Sequence, residues 1–571
     1  VRIAVDIDHL RAAQRPTTRL REALRDPEHP AWGGPWPESI EAFRPEQQDA
    51  IEEIVEGFLE VDTVLLDGPT GSGKTAVARA VARWHRWDSV YLCSRIALQE
   101  QMAGDYDEAV LVKGRSNYAT YDAPALFELD PEDPKRVTCA DCNFEPQTGC
   151  RWCTPPPGLT VGDVCPYKRR KATAVAAPLA CLNTAYFATE TRYAGEFIGR
   201  DLAVADEADL LESLLRGQLT INIRRRHLAE LESRKHLVTL PTPRTGRVTA
   251  DVRAWVAEAR VAARFPLSEC RRRSTGSVAD EREIRGWETL CEGLDIVLEE
   301  SAGAPWVVVV EGGAVEFKPV LVDKVARQLW WPRAQRWLLM SATLLDPAQL
   351  MRDLGVDDAR QYRVVTMDST FDPDRRQVVM MPRANVTKRE LDRAVPKLGA
   401  GIREVLHRHA GQRVLVHTVS YGLQQRLREY LPDARCLWPS GAREVDALLD
   451  KDTGGAFLAR PDAVLVGPAM ERGLDLKDDL CRANIVAKVP YADLGDPQVD
   501  ARMDLADGNA WYTAHTLRTL VQATGRGMRW EGDHCTTYIL DEQFPRRFGQ
   551  FERLLPAWWL RALRSEPAGA W

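Results

Sequence analysis

Residues 68–75 read GPTGSGKT, two glycine-containing steps that close on a lysine and a threonine. That spacing lets backbone N–H groups wrap phosphate oxygens while a helix N-terminus faces the same anion. Gly68, Pro69, Thr70, Gly71, Ser72 and Gly73 supply the wrap. Lys74 reaches the outer phosphates, and Thr75 offers its hydroxyl to Mg²⁺. The implied ligands are ATP and Mg²⁺. The segment follows TVLLD (63–67) and precedes a helical pattern starting near Lys74. This strand–loop–helix context argues against a chance glycine-rich turn.

A phosphate loop needs a carboxylate at the end of another strand, and DLAVADEADLLE (201–212) supplies one. Asp206 ends the strand and is placed to hold Mg²⁺ through its water shell; Glu207 is placed to polarise the attacking water. Far downstream, QATGRGMR (522–529) puts Gln522, Arg526 and Arg529 at i, i+4 and i+7, the spacing of one helix face. Two guanidiniums presented this way suit a phosphate held by another domain. A third group of side chains is metal-like. Five of the twelve cysteines follow the pattern Cys139-x₂-Cys142-x₇-Cys150-x₂-Cys153-x₁₁-Cys165. Such density points to a metal rather than to disulfides in a reducing compartment.

The elements that must position these groups are short apolar runs alternating with helical patterns. SVYLC (89–93), DLAVAD (201–206) and RWLLMS (336–341) belong to one group. RVLVH (413–417), AVLVG (463–467), NIVAK (484–488) and TTYIL (536–540) belong to another. Runs of this kind read as buried parallel strands, so the fold class is α/β with two parallel-sheet domains. Residues 1–40 read as an N-terminal extension. The first α/β domain takes 41–115, 170–211 and 301–351. A Cys-rich insert spans 116–169 and a helical insert 212–300, and the second α/β domain spans 352–571. WVVVVEGGAVEFK (306–318) reads as a hairpin around Gly312–Gly313. The 571 residues are 28% charged and 44% hydrophobic, with net charge −7. These values fit a globular protein and give no global sign of a nucleic-acid partner. No apolar run reaches the roughly 18 residues a membrane span needs, and the N-terminus shows no signal core, so the expected setting is cytoplasmic.

Set in order, RPEQ (44–47), GPTGSGKT, SRIALQEQM (94–102), DEAD (206–209), SATLLDP (341–347), LVHTVSY (415–421), MERGLDL (470–476) and QATGRGMR resemble the motif series of a superfamily 2 helicase. VKGRSNY (112–118), CPYKRRK (165–171) and FKPVLV (317–322) are similar to segments of the XPD/DinG branch that flank its metal domain and its arch. The resemblance covers roughly residues 40–545. It implies two RecA-like motor domains, with the Cys-rich and arch-like helical inserts in the first. By it, Gln47 and Arg44 contact adenine, Ser341 and Thr343 couple hydrolysis to movement, and Glu471, Gly473 and Asp475 line the cleft between the domains. It further implies a monomer that moves 5′ to 3′ on single-stranded DNA and opens forked DNA; DNA repair, recombination and DNA replication support are all compatible with such a motor.

For the cysteines it favours a 4Fe–4S cluster on four of the five, with Cys165 the best-matched ligand. Two CxxC pairs without Cys165 equally satisfy a tetrahedral Zn²⁺ site. Two departures stand out. Asp209 replaces the branch's histidine, and NYAT (117–120) lacks the cysteine that often follows NY. The basic run Lys168, Arg169, Arg170 and Lys171 adjoins the metal insert and suits nucleic acid, as do Arg224–Arg226 and Arg271–Arg273 in the helical insert. Trp330–Trp331 and Trp558–Trp559 read as packing anchors. Two other readings fit the same motifs: a translocase that strips proteins without efficient unwinding, and a binding protein whose nucleotide switches its grip.

Overall fold

A computed structural model describes residues 18–566 apart from 35, 38–39, 95, 130–135, 143, 146–148, 151, 276, 432–433, 450–453, 469–475, 477 and 529. Its first sheet has seven parallel strands in the order Tyr362–Thr366, Thr63–Asp67, Ala334–Ser341, Arg200–Ala205, Ser89–Cys93, Leu179–Asn183, Ala109–Val112. Successive side chains of a strand point to opposite faces, and both faces are buried here. Leu65, Val90 and Leu92 enter one core, while Val64, Leu66 and Tyr91 enter the other. This is why these strands read as continuous apolar runs.

The second sheet also has seven parallel strands, in the order Cys436–Leu437, Val464–Gly467, Val414–His417, Ala483–Val486, Thr536–Asp541, Val378–Ala384, Leu563–Ser565. The two sheets are the RecA-like pair the motif order implies.

Three boundaries differ from those expected. Tyr362–Thr366 pairs along its length with Thr63–Asp67, so the first sheet runs past residue 351. The hairpin Trp306–Glu311 and Ala314–Pro319 turns at Gly312 and Gly313, with φ of 58° and 78°. It joins Ile221–Ile223 and Gly246–Arg247 in a separate four-stranded sheet. Residues 306–319 thus belong with the helical insert, not with the first parallel sheet. The described part of residues 1–40 is no loose extension. Leu20, Leu24 and Trp32 share a core with Ile51, Val64 and Val81. The insert's main body is a helical hairpin, Ala250–Arg273 and Val278–Glu300, the second helix capped by Ser277.

The domains meet through a buried ion pair. Helix Pro347–Asp353 leaves the first sheet, and helix Pro497–Met503 belongs to the second domain. Arg502, with 0% exposure, donates to Asp353 Oδ1 at 2.8 Å and to Asp507 Oδ2 at 2.7 Å. Gln349 Nε2 bonds the same two carboxylates at 3.0 and 2.7 Å. Truncating one partner of such a network strands the other charge in a water-poor site. Arg502→Ala should therefore lower stability by about 3–5 kcal/mol in chemical denaturation. An unchanged denaturation midpoint would show that this junction holds nothing.

Candidate functional site

Asp67, Ser94, Asp206 and Ser341 lie at or just past the carboxyl ends of the first sheet's strands. In parallel α/β sheets that edge is where ligands bind. Between the two domains it opens a cleft of about 720 Å³ lined by Thr70, Gly71, Glu207, Asp209, Thr343, Gln522, Arg526 and Trp530 among others.

The phosphate loop is held from behind. Gly71 and Gly73 both have φ of 80°, and Gly73 caps helix Lys74–His85. A Cβ at Gly73 would come within 2.2 Å of Gln47 Nε2, so both conformation and space demand glycine. Gln47 Nε2 donates to Ser72 O at 3.0 Å, and Gln47 Oε1 accepts from the Arg44 N–H at 2.9 Å. Arg44 Nη2 in turn donates to Gly71 O at 3.0 Å. The pair assigned to adenine by resemblance thus also braces the loop.

Lys74 Nζ lies 2.7 Å from Gly68 O. Burial lowers its pKa, against the pull of Asp206 and Asp67. Thr75 Oγ1 sits 3.1 Å from Tyr91 OH, which donates to Asp206 Oδ2 at 3.3 Å. A hydroxyl and a carboxylate converging at a helix N-terminus fit a hard divalent cation. Burial raises the pKa of Asp206, with Lys74 opposing it. Burial likewise pushes Asp67 up to about 6. Ser94 Oγ donates to the Glu207 carboxylate, and Glu207 itself has φ of 52°. Asp67, Tyr91 and Ser94 were not singled out from sequence. The available signals were a carboxylate directly before Gly68 and one phenol in an otherwise apolar strand.

Asp209, the residue that departs from the branch's histidine, joins three motifs. Its Oδ1 accepts from Ser341 Oγ at 2.6 Å, and its Oδ2 from Gln522 Nε2 at 2.8 Å. The same Gln522 nitrogen lies 2.8 Å from Thr343 Oγ1. Ser341, Thr343 and Asp209 are buried. Gln522 comes from the second domain, so this node crosses the cleft.

Of the expected helix face, Gln522 and Arg526 do not share one helix. Helix Gly508–Thr524 stops with Gly525 as its cap, and Arg526 lies in the turn beyond. In the turn beyond, a Cβ at Gly527 would come within 2.4 Å of Cys535 Sγ and 2.7 Å of Cys481 O, so the close packing there requires glycine. Arg526 still lines the cleft, its Nε donating to Gln522 O at 3.3 Å. Arg529, Glu471, Gly473 and Asp475 lie outside the described residues.

In the Cys-rich insert, Cys139, Cys142, Cys153 and Cys165 share one small buried cluster with Val164. The Cys150 side chain lies outside the described set. Its hydrogen bond with Cys142 raises the Cys139 thiol to about 12, and the bond to Cys139 raises Cys165 in the same direction. A bound cation reverses that trend by favouring thiolates. Arg115 donates to Cys139 O at 3.1 Å and Cys142 O at 2.6 Å, which orients the loop. Four buried sulfurs in one cluster are the right donor chemistry for iron–sulfur or zinc. Among the described residues, however, no group of three or more Cys, His, Asp or Glu is arranged to hold a metal.

The cluster borders an opening of about 990 Å³ shared with the helical insert and the first domain. Of the basic run, Lys168 and Lys171 line this opening. Lys171 is tied to Glu190 and Glu196, and Arg170 to Leu111 O. Arg271 and Arg273 pair with Glu288 and Glu283 across the helical hairpin. Trp330 and Trp559 are buried, as packing anchors should be.

Two family models match the chain: the helicase C-terminal domain over residues 402–562, and the type III restriction enzyme res subunit over residues 40–122. "ATP-dependent DNA helicase chl-1" of Caenorhabditis elegans is 22% identical over 289 residues, 44% of this chain and 34% of that protein. Human "Regulator of telomere elongation helicase 1" is 32% identical over 120 residues, 19% of this chain and 9% of that protein. The matched part is thus about a third or less of these curated relatives. Among solved structures, "XPD_Helicase" aligns with TM-score 0.61 at 14% identity over 92% of this chain and 100% of that one. "Structure of S. tokodaii Xpd4" aligns with TM-score 0.57 at the same identity and coverage. The likeness to these structures is one of fold, and each family model covers less than half of the chain. Among the described residues no helix is long and apolar enough to cross a membrane.

The turn after Thr524 is testable by stability alone. Gly527→Ala forces a methyl against Cys535 and the Cys481 carbonyl and should cost about 1–3 kcal/mol. Gly525→Ala, with nothing nearer than 3.7 Å, should cost far less. Equal thermal shifts for the two would refute the packing explanation.

Proposed function

We propose that the chain is an ATP-driven motor that moves 5′ to 3′ along single-stranded DNA and separates strands at forks. The observation that carries this reading is the node of Asp209, Ser341, Thr343 and Gln522. It ties the carboxylate loop of the nucleotide-binding domain to a residue of the other domain. A nucleotide switch that hydrolyses nothing has no need of Glu207 beside that node.

In this mechanism the loop N–H groups and Lys74 neutralise the β- and γ-phosphates of ATP. Thr75 and Asp206 would hold Mg²⁺, which would supply charge neutralisation at the transferring phosphoryl. Glu207, fixed by Ser94, orients the attacking water. Arg526 reaches from the second domain towards developing negative charge, a role that contributes roughly 10³–10⁵ in rate where an arginine finger acts. Loss of the γ-phosphate removes the group that Lys74 and Arg526 share, so the domains part and the grip on DNA moves. The opening beside Lys168 suits a single strand's backbone.

The same proposal assigns a 4Fe–4S cluster to four of Cys139, Cys142, Cys150, Cys153 and Cys165, with Zn²⁺ as the rival occupant. Either would staple an insert whose own core is small. The buried thiols of Cys139, Cys142, Cys153 and Cys165 support it. The protein is read as a monomer in the cytoplasm.

ATP hydrolysis should rise on adding single-stranded DNA and vanish in Lys74→Ala; flat turnover with DNA would remove the motor reading. Forked duplexes with 5′ or 3′ tails, and RNA counterparts, test polarity and substrate, and protein displacement without unwinding would favour the translocase. Asp209→Asn puts an amide donor against Ser341 and Gln522. It should lower DNA-stimulated turnover about tenfold, as expected for one lost charge-assisted bond, while nucleotide affinity is kept. Protein purified without oxygen should be brown and contain about four irons per chain, as a 4Fe–4S cluster requires. A colourless protein with one zinc would replace the iron assignment.

A further inference from the structure

Ligand clefts carry aromatic side chains on their walls, with a few polar groups that fix orientation. Trp530, with 54% of its surface exposed, lies on the second domain's wall of the nucleotide cleft. Its orientation is fixed at both ends. The indole Nε1 donates to Asp478 Oδ1 at 2.9 Å. Asp478 N donates to Asp533 Oδ2 at 3.2 Å, and Asp533 Oδ1 accepts from Arg482 Nη1 at 2.7 Å. The ring lies against Gly532, where a Cβ would come within 2.0 Å of its six-membered edge. Arg375 Nη1 pins that turn through Gly532 O at 2.8 Å.

The next residue places the ring relative to the phosphate loop. Glu531 pairs with Arg44 Nη1 at 3.7 Å across the cleft. Arg44 in turn bonds Gly71 O of the loop. The indole therefore stands at the end of the cleft where a nucleoside triphosphate anchored on residues 68–75 would leave its base.

We propose that Trp530 is the stacking platform for the purine base of the bound nucleotide, contributed by the second motor domain. The inference rests on the reading of residues 68–75 as an ATP site. Purines offer the larger π-face, so the platform favours ATP and GTP over CTP and UTP. Because the ring belongs to the second domain, the base as well as the phosphates draws the cleft closed. Inorganic phosphate chains lack that contact.

Calorimetric titration of the full chain with ADP and with pyrophosphate separates the two contributions. Trp530→Ala should weaken ADP about tenfold, in the range of one base–aromatic stack, and leave pyrophosphate unchanged. Trp530→Phe should recover most of the ADP affinity. In turnover, Trp530→Ala should raise KM for ATP about tenfold with kcat within about threefold, and erase the preference for purine over pyrimidine triphosphates. If the wild-type chain hydrolyses ATP and Trp530→Ala binds ADP equally well, this assignment fails alone. If ADP and pyrophosphate weaken together, the side chain shapes the cleft and does not meet the base. If the wild type neither binds nor hydrolyses ATP, the motor reading fails, and this assignment falls with it.

Discussion

The arrangement turns on one buried carboxylate. Asp209 is 4% exposed, and its two oxygens face different partners: Ser341 of its own domain and Gln522 of the other. An unpaired carboxylate at such a depth is costly, so the node is strongly biased towards being complete. The residue type matters. An ionised aspartate is an acceptor on both oxygens, whereas a neutral histidine offers one donor and one acceptor. With aspartate, a hydroxyl and an amide can both donate to the same side chain across the cleft. The departure from the branch's usual histidine therefore does not weaken the junction; it changes which groups donate. Thr343, sharing the Gln522 nitrogen, extends the node to the segment that follows strand Ala334–Ser341.

Backbone strain recurs just past the ends of parallel strands. Among the described residues five non-glycine ones have positive φ, including Glu207, Leu345 and Val419. Glu207 follows Asp206 directly, and Leu345 lies two residues past Thr343. Val419 follows strand Val414–His417 of the second sheet, and for a β-branched residue this conformation is a true outlier. Each costs on the order of 1–3 kcal/mol and persists because its surroundings over-determine it. All three sit just past the carboxyl ends of parallel strands, the edge where the cleft opens. Strain there lets a carboxylate or hydroxyl point into the cleft while the preceding strand remains regular.

Legibility from sequence followed the range of the interactions involved. The phosphate loop and the acidic turn are local, and both stood where their spacing put them. The parallel strands were legible because burial on both faces leaves an uninterrupted apolar run. The boundary at residue 351 was not, since Tyr362–Thr366 is an edge strand recognisable by its pairing with Thr63–Asp67 rather than by composition. The insert's sheet was missed because Ile221–Ile223 and Gly246–Arg247 are three and two residues long, too short to show a period. The helical spacing of Gln522 and Arg526 was not kept, because the helix ends at Thr524 and periodicity carries no sign of the packing beyond it. Cys535, close in space but not in spacing, is what bars a side chain at Gly527. For the cysteines, spacing identified the cluster but could not name its occupant.

Helix Pro497–Met503 touches two other parts of the molecule, and magnitudes decide which contact governs. On one face Arg502 is sealed against Asp353 of the first domain. On another, Asp500, with Asp504 just beyond the helix end, meets Arg247 of the helical insert at 3.2 and 2.6 Å, with more than a third of every partner exposed. Ala501 and Leu505 add a small apolar contact to Val307 and Val320. Exposed ion pairs contribute about 0–1 kcal/mol each and weaken with salt, whereas breaking a buried one costs several times more. The insert is thus held to the second domain by the weaker bond and the first domain by the stronger.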